Sequence, residues 1–328
     1  MYMDSNIRKP TRWHYLLIGS LSMLFSGIIY AWSILKNPFS IEFGWSASQL
    51  ALNFTLIMCF FCIGGMAAGM LIKKTSPKVI LTISAVLTAL GFLLVSTISG
   101  KSILLLYISY GLLCGFGIGM AYNAIIATVN SWFPDKKGTC SGTLMMSFGA
   151  SSLILGNLAS HMFQTDSIGW RNTYLILGVA TGAILLIAAL VLKFPSASVQ
   201  FPQPSLNKKS NITENFEKRD YTTSEMIRRF TFWRFFLFLI TMAATGSTVI
   251  SFAKDLAVNI GAAEALAITL VGVLSVFNGL GRIICGVLFD IAGRKKAMLF
   301  ANIVTISASS ILLISILSNS LITGILGF

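Results

Sequence analysis

Nine apolar runs, each long enough to cross a bilayer, fix what this chain can fold into. They cover residues 13–35, 46–72, 79–98, 102–131, 139–163, 172–192, 231–252, 264–289 and 297–318, and a tenth begins near Leu321. A hydrocarbon core about 30 Å thick takes about 20 residues of helix. Inside it every backbone N–H and C=O must be bonded within the chain, which leaves helices or closed barrels. Runs of this length and apolarity predict an all-α, multi-pass membrane protein. Composition agrees: 55% of the 328 residues are hydrophobic and 11% charged, a balance outside that of soluble domains. The first run is too long for a secretory signal and lacks a small-residue cleavage site, so it is read as a retained first span.

The net charge of +13 is then a topology signal. With the N-terminus inside, the cytoplasmic connections collect Arg8, Lys9, Arg12, Lys73, Lys74, Lys78, Lys136, Lys137 and Arg294 to Lys296, while the outer side holds Lys36, Lys101, Arg171 and Lys254. Cations gather on the cytoplasmic side of short loops, so the expected location is the plasma membrane with a cytoplasmic N-terminus. The expected partner of these charges is anionic lipid. No basic stripe lies on a soluble domain, so nucleic acid is not expected as a partner.

A polar stretch over 194–229, with Pro195, Pro202 and Pro204, separates residues 1–193, a six-helix bundle, from residues 230–328. It reads as a cytoplasmic linker. Within it Thr222-x-x-Glu225 is a capping-box pattern, predicting a short interfacial helix with Met226, Ile227 and Phe230 on one face. Gly65-x-x-x-Gly69, and Gly111, Gly115 and Gly119 at four-residue spacing, predict close helix approach. A monomer is expected.

Arg282 is the most telling polar residue. It lies eight residues before Asp290, which puts it roughly 12 Å deep in a helix that leaves the membrane near that aspartate. An ionised side chain there costs at least about 2.5 kcal/mol unless it faces a polar cavity or a partner. A guanidinium holds a carboxylate through two parallel hydrogen bonds, although bonds to backbone carbonyls or a hydroxyl could satisfy it too. Asn278, one turn earlier, could add an amide to the same anion. Tyr122 lies roughly 15 Å deep, and its phenol is a second candidate donor. All eleven acidic residues fall near segment ends or in the linker, so no carboxylate is placed to carry a coupling cation. Cys59-Phe60-Phe61-Cys62 has CxxC spacing but lies mid-membrane, where it reads as packing. No metal site or cofactor is expected, and no paired acids or Ser/His set suggests an enzyme.

Gly286-x-x-x-Asp290-x-x-Gly293-Arg294-Lys295, after the eighth span, resembles the loop signature of the major facilitator superfamily. Gly69 to Lys78 is a degenerate first copy with Lys73 in place of the acid. The resemblance implies two six-helix bundles, the second incomplete here with its helices 7–9 and the start of 10. Further likenesses are Tyr30-Ala-Trp32-Ser, Gly115-Phe-Gly117-Ile-Gly119-Met-Ala-Tyr122, Trp132-Phe-Pro-Asp135-Lys-Lys-Gly138, Gly169-Trp-Arg171 and Tyr221-Thr-Thr-Ser-Glu225-Met226. Together they resemble the oxalate/formate antiporter branch, related to the monocarboxylate carriers.

That resemblance implies alternating-access transport of a small carboxylate anion. At the position of Arg282 the branch has an arginine on the substrate, and aromatic residues matching Tyr30, Tyr122 and Phe148 line the cavity. It also makes Gly286, Asp290, Gly293 and Arg294 a conformational latch, with Asp290 and Arg294 one turn apart. The chain ends within the tenth of twelve expected spans, so a C-terminally truncated member is expected. Two other readings stay open: a carrier of sugar or drug, for which Gln49 and Asn53 are candidate contacts, and a non-transporting remnant or sensor.

Overall fold

The computed structural model describes residues 12–100, 102–165, 167–196, 201, 221–259 and 261–318. Among these residues every regular element is helical. The chain divides into two compact units, Met1–Pro204 and Ser205–Phe328. Seven helical segments among the described residues are long and apolar enough to cross a membrane.

In the first unit the opening span is not one helix. Helix α1 (Trp13–Ser26) tightens into a 3-10 segment, Gly27–Ala31, and continues through α2 (Trp32–Leu35) and α3 (Asn37–Phe43) to Gly44, whose φ of 65° ends it. The expected run of 13–35 is therefore extended to Phe43. Helix α4 (Ala47–Leu71) starts on a capping box: the Gln49 N–H donates to Ser46 Oγ at 3.3 Å and the Ser46 N–H to Gln49 Oε1 at 2.9 Å. Helix α5 (Pro77–Ser96) begins on a proline, whose missing N–H costs nothing in a first turn. The next span starts at α6 (Leu104–Leu106), widens into a π-helix over Tyr107–Cys114, and regains α geometry in α7 (Gly115–Trp132). Helices α8 (Lys137–Gln164) and α9 (Gly169–Val191) complete the unit.

Glycines let these helices touch backbone to backbone. A Cβ on Gly119 would lie 2.1 Å from the Phe61 carbonyl oxygen, and one on Gly27 would lie 2.0 Å from that of Phe148. The first contact joins α7 to α4, the second the 3-10 segment of the first span to α8. The α4 glycine in closest approach is Gly64, against the Phe116 carbonyl, whereas a Cβ on Gly65 would have only the Gly119 carbonyl, at 3.6 Å. The Gly65–Gly69 pair thus does not set the separation of α4 from α7. The contact face passes through Ile57, Phe61 and Gly64, one position round the helix.

Two polar clamps close the ends of the unit. Arg12 donates to both carboxylate oxygens of Asp135, at 2.5 and 2.8 Å, and its guanidinium lies 4.7 Å from the centre of the Phe133 ring. Tyr15 stacks on Trp132 at 4.1 Å, and the Trp132 indole donates to the Lys193 carbonyl at 2.7 Å. The starts of α1 and α8 are so tied to the ends of α7 and α9. At the opposite end Arg171 donates to Glu42 at 2.8 Å and to the Ile98 carbonyl at 3.2 Å, and the Trp170 indole also bonds Glu42.

In the second unit α10 (Thr223–Ile227) starts on the predicted capping box, with the Thr222 N–H donating to Glu225 Oε2 at 2.9 Å. It ends sooner than expected. Phe230 opens the next helix instead of extending the α10 face, because the chain turns at Arg228 and Arg229. The Arg229 guanidinium covers the Tyr221 ring at 4.1 Å, and the Trp233 indole donates to the Ile227 carbonyl at 2.7 Å. Helices α11 (Phe230–Asn259), α12 (Glu264–Ala292) and α13 (Arg294–Ser318) follow. They stand at the positions of the seventh, eighth and ninth expected spans, and of the three only α13 is among the seven membrane-length apolar segments found in the described residues. The tenth, from Leu321, and most of the linker lie outside the described residues.

Candidate functional site

Three aromatic residues singled out in the sequence meet in the first unit. Phe148 of α8 is their hub and is 1% exposed. Tyr30 meets it edge to face with centroids 5.1 Å apart, and Tyr122 does the same at 5.1 Å. A fourth ring, Phe61 of α4, lies 5.2 Å from Tyr122 and 6.0 Å from Phe148. Edge-to-face pairs add about 0.5–1.5 kcal/mol each beyond the area they bury. Phe61 and Tyr122 stand ten residues from Leu71 and Trp132, and Phe148 eleven from Lys137. At 1.5 Å per residue that is about 15 Å along each helix, near the middle of a hydrocarbon core about 30 Å thick.

The backbone explains why Tyr30 reaches this cluster. The 3-10 turn packs Gly27 against the Phe148 carbonyl, and three residues later Tyr30 comes to rest on the Phe148 ring. Tyr30 is 41% exposed, while the hub behind it is buried. The cluster therefore has an exposed tyrosine over a packed phenylalanine base.

Sequence reasoning missed Phe61. Its only local signal is its place inside Cys59-Phe60-Phe61-Cys62, a pattern that reads as packing; its pairing with Tyr122 depends on the register of α4 against α7. It also missed Asn123, whose Nδ2 donates to the Gly65 carbonyl at 2.7 Å.

In the second unit Arg282 is half-buried on α12, and its Nε donates to Asn278 Oδ1 at 3.3 Å. The asparagine thus holds the Nε edge of the guanidinium through the oxygen of its amide. Gly286 lies one turn further on and is buried; Asp290 stands in the last turn. The helix stops at Gly293, with φ 81° and ψ 168°, a region open essentially to glycine alone. Arg294 begins α13. Asp290 and Arg294 are consequently on two helices, and the expectation that they lie one turn apart on a single helix is corrected by this break.

The electrostatics of the described acids follow their positions. Glu42 lies at the end of α3, Asp135 between α7 and α8, Glu225 in α10, Asp255 near the end of α11, Glu264 at the start of α12 and Asp290 near the end of α12. Asp135 is held below the usual aspartate range by its hydrogen bonds from Arg12, against the opposing effect of partial burial. The same hydrogen bonds raise the Arg12 pKa. Gln49 is used in the α4 capping box, and Asn53 is fully buried, 3.2 Å from where a Cβ on Gly111 would lie.

Residues 15–328 match the model of the Major Facilitator Superfamily. An uncharacterized MFS-type transporter of Escherichia coli, YhjX, is 27% identical over 311 residues, covering 94% of this chain and 73% of that protein. The oxalate:formate antiporter of Oxalobacter formigenes is 26% identical over 288 residues, covering 88% of this chain and 65% of the antiporter. Monocarboxylate transporter 11 of mouse is 33% identical over 123 residues, covering 36% of this chain and 27% of the transporter. The match along nearly the whole sequence, on a helical framework with repeated membrane-crossing segments, makes this chain a multi-pass integral membrane protein that belongs to the Major Facilitator Superfamily.

Proposed function

We propose that the protein is a secondary carrier of small organic carboxylates, of the oxalate, formate or lactate type, working by alternating access. Arg282 is the residue that binds the carboxylate. The observation that carries this reading is the pairing of Arg282 with Asn278 on an apolar helix: a permanent cation, oriented through Nε, in a segment where an ionised group needs a strong functional reason. Similarity to an oxalate:formate antiporter and to a monocarboxylate transporter supports the same substrate class.

The phenols of Tyr30 and Tyr122 serve as carboxylate donors in the first unit, and Asn278 acts by orienting Arg282 in the second. Phe148, at 1% exposure, supports the two tyrosines rather than touching substrate. Gly286, Asp290, Gly293 and Arg294 form the conformational latch, hinged at Gly293. The acids described stand at helix ends or in connections, which favours anion exchange or facilitated movement over coupling through a mid-membrane carboxylate. The lysines and arginines before α1, in the α4–α5 and α7–α8 connections and in the first turn of α13 favour a cytoplasmic N-terminus in the plasma membrane. Of the amides a sugar site would use, Gln49 is engaged in a helix cap and Asn53 is fully buried.

Uptake into proteoliposomes tests the substrate class, with radiolabelled oxalate, formate and lactate as probes and glucose as control. Saturable uptake of at least one acid, and none of glucose, is expected. Saturable glucose uptake without uptake of any acid would overturn the reading.

A further inference from the structure

Helices α4 and α7 approach through glycines, and smooth surfaces of this kind fix how close two helices come better than how they are rotated. Gly64 faces the Phe116 carbonyl, Gly115 the Ile57 carbonyl and Gly119 the Phe61 carbonyl. At the level of the aromatic cluster a directional polar link joins the pair: Asn123 Nδ2 to the Gly65 carbonyl, at 2.7 Å. Gly69 lies beside the same carboxamide, with a Cβ there falling 3.5 Å from Nδ2. The two glycines that read as a packing motif therefore border the slot for an asparagine side chain of the neighbouring helix.

Asn123 directly follows Tyr122, so its bond pins the rotation of α7 where that tyrosine leaves the helix. A rotation of about 20° would carry a ring about 5 Å from the axis by about 2 Å. Tyr122 holds its contacts with Phe61 and Phe148 at 5.2 and 5.1 Å between centroids, and a displacement of that size would alter both. The bond also crosses between helices in a setting where interhelical hydrogen bonds are a main source of specific packing.

We propose that Asn123 is a positioning residue for Tyr122, fixing the direction of its phenol toward a bound carboxylate through the hydrogen bond to Gly65. This rests on the reading of Tyr122 as a substrate donor. Asn123 itself need not touch the substrate, and its effect passes through the ring next to it.

A double-mutant cycle on the intact protein in proteoliposomes tests this. The probes are radiolabelled oxalate, formate and lactate, and half-saturation concentrations are taken at equal amounts of inserted protein. Tyr122→Phe and Asn123→Ala should each raise the half-saturation concentration for the accepted acid about three- to tenfold. The double variant should be no worse than Tyr122→Phe alone, because the two residues act as one unit. Should Asn123→Ala fail to insert, Asn123→Leu, which keeps more of the volume, replaces it in the cycle. Additive losses, or an Asn123 variant that changes only the amount of inserted protein, would overturn the positioning role while leaving Tyr122 in the site. An inert Tyr122→Phe would overturn the donor reading of Tyr122, and the positioning role with it. No uptake of any of the three acids by the wild-type protein would overturn the carrier reading itself.

Discussion

Arg12 and Asp135, 123 positions apart in the chain, form a two-pronged ion pair with both carboxylate oxygens engaged. It joins the start of the first span to the connection between α7 and α8. Both side chains are largely shielded, at 16% and 11% exposure, so the pair is not the freely solvated kind that contributes little. Asp135→Asn removes the charge and half of the acceptor set, and should lower stability by about 2 kcal/mol, as for other hydrogen bonds to charged groups. Thermal unfolding in detergent reads the loss.

The same pair sets an acid limit. The Asp135 carboxyl is depressed in the folded protein, so its contribution is fully present above the unfolded aspartate value of about 3.9 and is lost as pH falls through the folded value. The difference in melting temperature between wild type and Asp135→Asn should therefore be constant from pH 7 to pH 5 and shrink below about pH 4. A difference that grows on acidification would contradict the assignment.

Gly119→Ala should be much more damaging than Gly65→Ala. The first would put a methyl 2.1 Å from a backbone carbonyl of α4, the second no closer than 3.6 Å. Overpacking of this kind costs about 1–3 kcal/mol, whereas the Gly65 variant should be near neutral. The proportion of monodisperse protein after detergent extraction, followed on heating, separates the two.

Gly293→Ala should destabilise the α12–α13 turn by about 1–3 kcal/mol, because φ 81° with ψ 168° is accessible essentially to glycine. If the turn is the latch hinge, transport rate should fall as well, with half-saturation little changed. Initial rates over a range of substrate concentrations distinguish the two parameters.

Phe148→Ala should cost about 3–5 kcal/mol, as expected on emptying a buried aromatic site, and should weaken substrate binding by releasing both tyrosines. Tyr30→Phe keeps the 5.1 Å ring contact and should leave stability unchanged while raising half-saturation. Paired measurements of melting temperature and uptake on the two variants check this.

The spans were legible because about 20 consecutive apolar residues leave a membrane chain little choice of structure. Thr222 and Glu225 announced their cap because both partners lie within one turn. Tyr30, Tyr122 and Phe148 were legible as a set only through family resemblance, and the structure adds that Phe148 is the base on which the others lean. What escaped the sequence depends on register between distant segments. Phe61 meets Tyr122, and Asn123 meets Gly65, only once α4 and α7 are aligned, and Arg12 gives no local sign of Asp135. The 3-10 and π segments were illegible too, because the changes of helical pitch over Gly27–Ala31 and Tyr107–Cys114 fall inside uniformly apolar runs.

The central claim is that Arg282 holds a carboxylate, and replacing it with lysine tests that most directly. Uptake of radiolabelled oxalate, formate and lactate is compared between wild type and Arg282→Lys, at matched levels of inserted protein. Lysine keeps the charge and loses the planar pair of donors. The account predicts normal insertion with uptake abolished or strongly weakened. Unchanged uptake by the lysine variant would remove Arg282 from the site.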